Sequence, residues 1–496
     1  MRYMTNSSVL LLVILLGMGN CFCPASAGES ALPPRPAKEA WEKSLGTRDA
    51  IREQLKARLL GWPETALVNS ASLPAEPQAF LQRVAADTWR GLLALSDRDN
   101  GLPLDFVRFG DATVDSSAAT IGDYTTPTNI GLRFIALGAA MDLGLIDRSQ
   151  AARMAATLLS TLERLERYKG FYFNYYDTTT LERNSHFLSF VDSAWLTAGL
   201  MAARQAFPEL DKRCSQLIRQ SDYGFFYDGV LQHMNHGYYV DQQRYAEHHY
   251  GLLYTEARLG SLIAMGKGDV PPAHWFAMHR TMAETDTWQN MTPVGRHPKH
   301  INGYVTQGGR YRWRNAEYVP SWGGSLFEAL MPRLVLDEAA VAPDSLGHNG
   351  ALHATIHRLY ALEDLHYPVW GLSPSSTPGS TDYHEYGVKA LGVAGYPAGV
   401  VTPHASALAL PVLPNEAIAN LRELVQRYPI YGEYGFYDAV SPQTGQVSYQ
   451  YLALDQSMIF IALANYLAGG SVHKRFAADP IIQRVLPVLG RENFFD

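Results

Sequence analysis

Two carboxylates in this chain sit where solubility cannot explain them. In segment 247–266 the apolar residues Leu252, Leu253, Leu259 and Ile263 form a stripe at helical spacing, and Glu256 falls inside it at i+3 and i+4. In segment 451–468 Asp455 interrupts the stripe Tyr451, Leu452, Met458, Ile459 and Ala462 in the same way. A buried ionised carboxylate is costly unless it is paired, so its pKa rises or a cation approaches it. Two inward acids on separate elements, one protonated and one ionised, are what hydrolysis of a glycosidic bond requires. The first protonates the leaving oxygen and the second activates water or attacks carbon. The structural alternative for Glu256 is an ion pair with Arg258 or His248.

The remaining acids divide their meaning. Asp192, in Phe190-Val191-Asp192-Ser193-Ala194-Trp195, reads equally as a helix N-cap and as a sugar ligand. Asp123 beside Tyr124, Glu328 in Ser321-Trp322-Gly323-Gly324-Ser325-Leu326-Phe327-Glu328, the pair Asp382 and Glu385, and Glu433 each have a solvent or capping reading. His233, His236, His248 and His249 make no recognised ligand motif with an acid or cysteine, so neither a catalytic metal nor a cofactor is expected. There is no Gly-rich phosphate loop and no Gly-x-Ser-x-Gly elbow.

The elements that must position these groups are helical. Period-3.6 segments fall at 77–97, 127–144, 147–168, 189–206, 208–221, 247–266, 322–336, 346–364, 403–411, 414–428, 451–468 and 473–488, with a leading helix at 48–60 and almost no alternating pattern that would signal strands. The connections Gly144 to Asp147 and Phe207 to Leu210 are tight enough to make antiparallel helix hairpins. Six hairpins closed into a ring predict an all-α fold, an (α/α)6 toroid over 76–496, with a pocket at one rim. A Gly-aromatic phrase followed by Asp recurs at Gly170-Phe171-Tyr172 with Asp177, at Tyr223-Gly224-Phe225-Phe226-Tyr227-Asp228 and at Tyr434-Gly435-Phe436-Tyr437-Asp438. Turn chemistry, with Gly at positive φ and Asp as a cap, explains it better than substrate contact. Segment 281–318, rich in Gly, Pro, Trp and Arg, is longer than ordinary loops and is expected to fold over the pocket.

Met1, Arg2, the apolar run Val9 to Leu16 and the small-x-small Ala25-Ser26-Ala27 read as a secretory signal peptide over 1–27, which predicts a periplasmic or secreted protein. Its apolar run is shorter than the roughly 20 residues of a membrane span, and no later run is long enough. Residues 28–75 form a leader with a Pro-rich stretch, Leu32 to Pro36, and one helix. Beyond the signal only Cys214 remains, so a large core rather than a disulfide must stabilise the fold. A net charge of −7 with no Lys/Arg cluster argues against nucleic acid and anionic membranes as partners. Aromatic residues make up 11% of the chain and many sit beside Gly, Pro and Asp, which suits either a stacking surface for sugar rings or a large core.

Longer strings carry a resemblance. Thr255-Glu256-Ala257-Arg258-Leu259, Ile263-Ala264-Met265-Gly266-Lys267-Gly268-Asp269-Val270-Pro271, His274-Trp275-Phe276, Ser321 to Glu328 and Tyr434 to Asp438 resemble the central toroid domain of cyclic β-1,2-glucan synthases. Gly371-Leu372-Ser373-Pro374-Ser375, Thr402-Pro403-His404-Ala405-Ser406 and Tyr451-Leu452-Ala453-Leu454-Asp455-Gln456 resemble the glycoamylase-like domain of endo-β-1,2-glucanases. Residues from about 80 to 230 are similar to an uncharacterised domain of exported bacterial proteins.

The resemblance implies a glycoside hydrolase on a β-glucan, β-1,2-linked, with Glu256 as general acid and Asp455 as the base that activates water. Where the synthase domains carry Glu in a Ser-Glu-Ser, this chain has Ser373-Pro374-Ser375, which removes a nucleophile and points to inversion. Asp123, Tyr124, Asp192, Arg258, Trp322, Trp370, His404, Glu433 and Tyr434 are the expected substrate contacts, with an oligo- or polysaccharide as the partner. The rival readings are a non-catalytic glycan-binding toroid, a transglycosylase and a lyase.

Overall fold

In the computed structural model, residues 38, 42–43, 45–110, 114–115 and 118–496 are described; the signal peptide expected at 1–27 lies outside them. The principal helices are α1 (Arg48–Arg58), α2 (Pro77–Ala94), α3 (Pro127–Asp142), α4 (Arg148–Leu162), α5 (Phe190–Ala206), α6 (Asp211–Gln220), α7 (Arg258–Lys267), α8 (Leu326–Leu330), α9 (His348–Leu359), α10 (Pro403–Ala409), α11 (Pro414–Arg427), α12 (Ala453–Leu467) and α13 (Pro480–Leu489). Among the described residues, no helix is long and apolar enough to cross a membrane.

Local chemistry sets the helix starts. Thr126, Asp147 and Ser189 cap α3, α4 and α5 by accepting the N–H of Asn129, Gln150 and Asp192, and Pro127 occupies the first turn of α3, where its missing N–H costs nothing. The helices then fall into two classes. α3, α5, α7, α10 and α12 are buried on nearly every face, whereas α6, α11 and α13 bury one face and expose the other. These buried helices, together with the short and mostly buried α8, pack neighbour on neighbour: α3 on α5, α5 on α7, α8 on α10, α10 on α12, and α12 back on α3. Arg258 of α7 reaches the carbonyls of Glu328 and Ala329 in α8. On the outside, α4 packs on α3, α6 on α5, α13 on α7, α9 on α8, α11 on α10 and α2 on α12. The α3–α5 contact is very close because both helices present glycine there; a Cβ on Gly131 would lie 2.2 Å from the Trp195 carbonyl oxygen.

Three expectations are corrected. Segment 247–266 does not form one helix: His249–Tyr250 pairs with Met234 and Asn235, the Leu253 N–H bonds to His279, and α7 begins only at Arg258. Glu256 therefore lies in the turn before the helix. Strands are also present, in two- and three-stranded sheets whose two- to four-residue members are too short to print an alternating pattern. Helix 147–168 stops at Leu162, and Arg167–Tyr168 turns through Lys169 and Gly170, both at positive φ, to pair with Phe171–Tyr172. Segment 281–318, expected as a long loop, supplies two of the hairpins, at Pro298–Ile301/Tyr304–Gln307 and Tyr311–Trp313/Ala316–Tyr318, the first around an Asn302-Gly303 turn.

One small sheet organises the rim. Strand β1 (Phe106–Arg108) runs between β2 (Thr120–Gly122) and β3 (Gln450–Leu452), with Phe106 opposite Leu452. The Ala453 N–H then bonds to the Asp105 carbonyl at 2.8 Å. Asp105 and Ala453, 348 positions apart in the chain, are thereby fixed together at the start of α12, two residues from Asp455.

Candidate active site

The N-terminal ends of α3, α5, α7, α8 and α12 converge on a cavity of about 570 Å³ whose walls include Asn129, Asp192, Glu256, Phe327 and Leu454. Helix N-termini favour negative charge, so this is where the fold can tolerate several carboxylates together. None of residues 281–318 lines the cavity, which corrects the expectation of a cover from that segment.

Glu256 lines the cavity and is 6% exposed. Burial, reinforced by the charges of Glu328 and Asp192, pushes its carboxyl up to about 7, so a large share is protonated at neutral pH. Glu328 is held in a capping box at the start of α8, accepting from the N–H groups of Trp322, Gly323 and Ser325 and from Ser325 Oγ at 2.7 Å.

Asp192 also faces the cavity. Ser189 is the N-cap of α5, so Asp192 is not; it accepts from Thr128 Oγ1 at 2.6 Å, and burial raises its pKa. The cap reading of Asp192 is thereby removed.

Asp105 escaped the sequence reading. It lines the cavity, accepts from Asn129 Nδ2 at 2.9 Å and from Tyr124, and burial pushes it up to about 6. Its only sequence signal is an acid set against the apolar run Leu102-Pro103-Leu104.

Asp455 lies one layer deeper. It is 1% exposed and does not itself line the cavity, although its neighbour Leu454 does. Its Oδ2 lies 2.9 Å from His404 Nδ1, and it shares a hydrogen bond with Asp438. Burial pushes Asp455 up to about 7 and Asp438 well above the carboxylate range, so the pair retains a proton at neutral pH. The backbone N–H of Ser376 donates to Asp438 Oδ2 at 2.8 Å, as does Ser376 Oγ. His404, Asp438 and Asp455 bring one ligand atom each within 4.8 Å of one another, an arrangement that a divalent ion or the shared proton would each satisfy. Tyr383 lines the cavity, and its phenol is raised by burial and by the charges of Asp455 and Asp438.

Tyr124 lines the cavity, and its neighbour Asp123 points away to Thr178, Thr179 and Lys38. The other expected substrate contacts do not line this cavity. Arg258 is fully buried in a two-pronged ion pair with Glu338 at 2.7 and 3.1 Å, a joint between α7 and the segment after α8. Trp370 is a core residue whose N–H donates to Asn420. Trp322 packs against Trp288, Glu433 accepts the N–H groups of Glu64 and Thr65, and Tyr434 lies beneath α2 against Gly91. His404 meets Asp455, not the cavity.

Residues 248–480, which hold Glu256, His404, Asp438 and Asp455, match the Glycoamylase family model, described as "Putative glucoamylase". The matched segment does not include Asp105 or Asp192, which come from the N-terminal half. The chain is 29% identical over 313 residues to Cyclic beta-(1,2)-glucan synthase NdvB of Rhizobium meliloti, covering 59% of this chain and 10% of that protein. It is 22% identical over 370 residues to Exo beta-1,2-glucooligosaccharide sophorohydrolase (non-reducing end) of Parabacteroides distasonis, covering 68% of this chain and 49% of that protein. The chain thus spans about a tenth and about half of these two relatives. Among solved structures, the fold matches endo-beta-1,2-glucanase from Chitinophaga pinensis with a TM-score of 0.63 at 19% identity, over 84% of this chain and 99% of that one.

Proposed function

We propose that the protein is a periplasmic glycoside hydrolase that cleaves a β-1,2-linked glucan with inversion, built as an (α/α)6 toroid. The inner ring is α3, α5, α7, α8, α10 and α12, and each packs on an outer partner. The packing of α12 back on α3 supports closure of that ring.

The observation that carries the reading is Glu256, a cavity-facing carboxyl raised to about 7 beside other acids. A general acid must hold its proton at working pH and face the bond it breaks. Glu256 donates that proton to the leaving glycosidic oxygen. Asp455 takes the proton of the attacking water through a bridging water, because its buried carboxylate does not line the cavity. Asp105 and Asp192 supply hydrogen-bond acceptors for sugar hydroxyls. Ser373 and Ser375 are both fully buried, and neither offers a nucleophile in place of the missing glutamate. The substrate class draws its support from the relatives, a β-1,2-glucan synthase, a β-1,2-glucooligosaccharide hydrolase and a β-1,2-glucanase by their names.

The experiment is incubation of the purified protein with linear and cyclic β-1,2-glucans beside β-1,3-, β-1,4- and β-1,6-linked controls, reading new reducing ends and product size. Release from the β-1,2-glucans alone is expected. Cleavage of a control in preference, or of none, overturns the reading.

A further inference from the structure

A second cleft, of about 560 Å³, opens between α2 and α4, over α3, and shares no lining residue with the candidate active site. Four arginines line it: Arg90, Arg98, Arg133 and Arg153. The acid in its lining, Asp97, is already engaged by Arg58 at 2.7 Å and by the N–H groups of Asp99 and Asn100. Arg90 pairs with Asp87 at 3.0 Å. The other three have no carboxylate partner among the described residues: Arg98 donates to the Leu59 carbonyl and Arg153 to Ser149 Oγ.

Arg133 is the anomaly. It is 3% exposed on a helix buried nearly all round, and it donates one N–H to the Leu92 carbonyl at 3.1 Å with its guanidinium 5.1 Å from the Trp89 ring. Burial alone pushes it down to about 10, with no acid nearby to restore it. A bland account exists, since Leu92 lies in the last turn of α2, where a cation complements the helix dipole. That account uses one of five donors and leaves a buried cation without a counter-charge, an arrangement that proteins ordinarily pair.

We propose that this cleft is an oxyanion site for a phosphate or carboxylate group carried on a small organic molecule or on a sugar. Guanidinium groups match such anions two-pronged, and three unpaired ones around a concavity gather the charge that a single monoester brings. Leu93, Leu137, Met154 and Leu158 give the same cleft an apolar wall for the organic body. The concave shape and the net charge of −7 disfavour a polyanion such as nucleic acid, which needs an extended basic surface.

The test is titration of the full protein, by calorimetry and thermal shift, with inorganic phosphate, glucose 6-phosphate and glucuronate, against glucose and against sodium chloride at matched ionic strength. Saturable binding of at least one oxyanion is expected, with none for glucose or chloride. Arg98→Gln and Arg153→Gln, both at exposed positions, are each expected to keep the wild-type melting temperature and to weaken binding about tenfold, the loss of one charge-assisted hydrogen bond. Arg133→Gln keeps a donor for Leu92 and is expected to abolish binding. Glucose 6-phosphate binding more tightly than phosphate assigns the apolar wall to the organic body; equal affinity leaves a site for the free anion. Absence of saturable binding up to about 10 mM, or binding unchanged in both Arg98→Gln and Arg153→Gln, overturns the proposal. If Arg133→Gln fails to fold, those two variants carry the test alone.

Discussion

Nδ1 of His404 lies 2.9 Å from Oδ2 of Asp455, and burial pushes that imidazole down to about 4, so the ring is neutral at pH 7. The nearest basic side chain therefore supplies no counter-charge, and the proton shared with Asp438 keeps the pair from carrying two negative charges. Asp455 near 7, Glu256 near 7 and Asp105 near 6 are all raised above the ordinary values of 3.8, 4.5 and 3.8. For groups raised on folding, the stability contribution is full below the unfolded pKa and is lost as pH rises through the folded one. Buried histidines such as His404 and His357 are pushed down and act in the opposite sense up to their unfolded value of 6.5, so the melting temperature is expected to fall between about pH 6.5 and 8, and Asp438→Asn to flatten that fall. Differential scanning fluorimetry across this range checks it; a wild-type melting temperature that rises toward pH 8 contradicts the shared proton.

Glu256→Gln keeps the size of the side chain and removes the proton donor. We expect a native circular dichroism spectrum and a loss of about 10² to 10⁴ in kcat. An unfolded variant whose residual native fraction turns over normally would make Glu256 a structural residue.

Asp105→Asn tests the acid contributed by the N-terminal half. It preserves the contact to Asn129 in shape but removes a charge that raises Asp455. Activity is expected to drop at least about tenfold, with a lower pH on the acid limb of the rate profile because Asp455 ionises more readily. An unchanged profile would separate Asp105 from the chemistry.

Much of this was legible in the sequence, for reasons that differ between residues. Helices such as α3 and α5 announce themselves through caps and long apolar runs, because those signals are local. Glu256 was read as inward from a helical stripe, yet it sits in a turn; the flanking leucines are buried by strand pairing and by the start of α7. Asp105 could not be found, since what brings it to Asp455 is the pairing of β1 with β3 across most of the chain. Trp370 and Tyr434 looked like rim aromatics because Gly and Pro lie near them, but those turns face the core. Arg258 carries the same lesson, as its partner Glu338 lies 80 residues away.

Gly131 and Gly199 set how closely α3 and α5 approach. Alanine is favoured over glycine in a helix interior by about 1 kcal/mol. At Gly131, however, the new Cβ would meet backbone at 2.2 Å, and the helices would have to part. Overpacking costs about 1–3 kcal/mol or more, so the clash wins. Gly131→Ala is expected to lower the melting temperature and, by shifting Asp192 at the start of α5, to reduce activity. A raised melting temperature would mean that the contact yields easily.

Stereochemistry gives the sharpest test of the second carboxylate. A retaining enzyme needs a nucleophile about 5 to 5.5 Å from its acid, and an inverting one leaves about 6.5 to 9.5 Å for a water. Asp455 is 1% exposed, does not line the cavity and is hydrogen-bonded to Asp438, which argues against its direct attack on an anomeric carbon. It can still accept a proton relayed by water. Proton NMR of fresh product is therefore expected to show the α anomer from a β-linked glucan before mutarotation. Asp455→Asn is expected to abolish turnover while leaving oligosaccharide affinity largely intact. A β product, or a trapped glycosyl-enzyme, would reassign the role to an acid already in the wall. Asp105, Asp192 and Asp382 line the cavity, and the corresponding Asn variants would then identify the nucleophile by which one no longer forms the adduct.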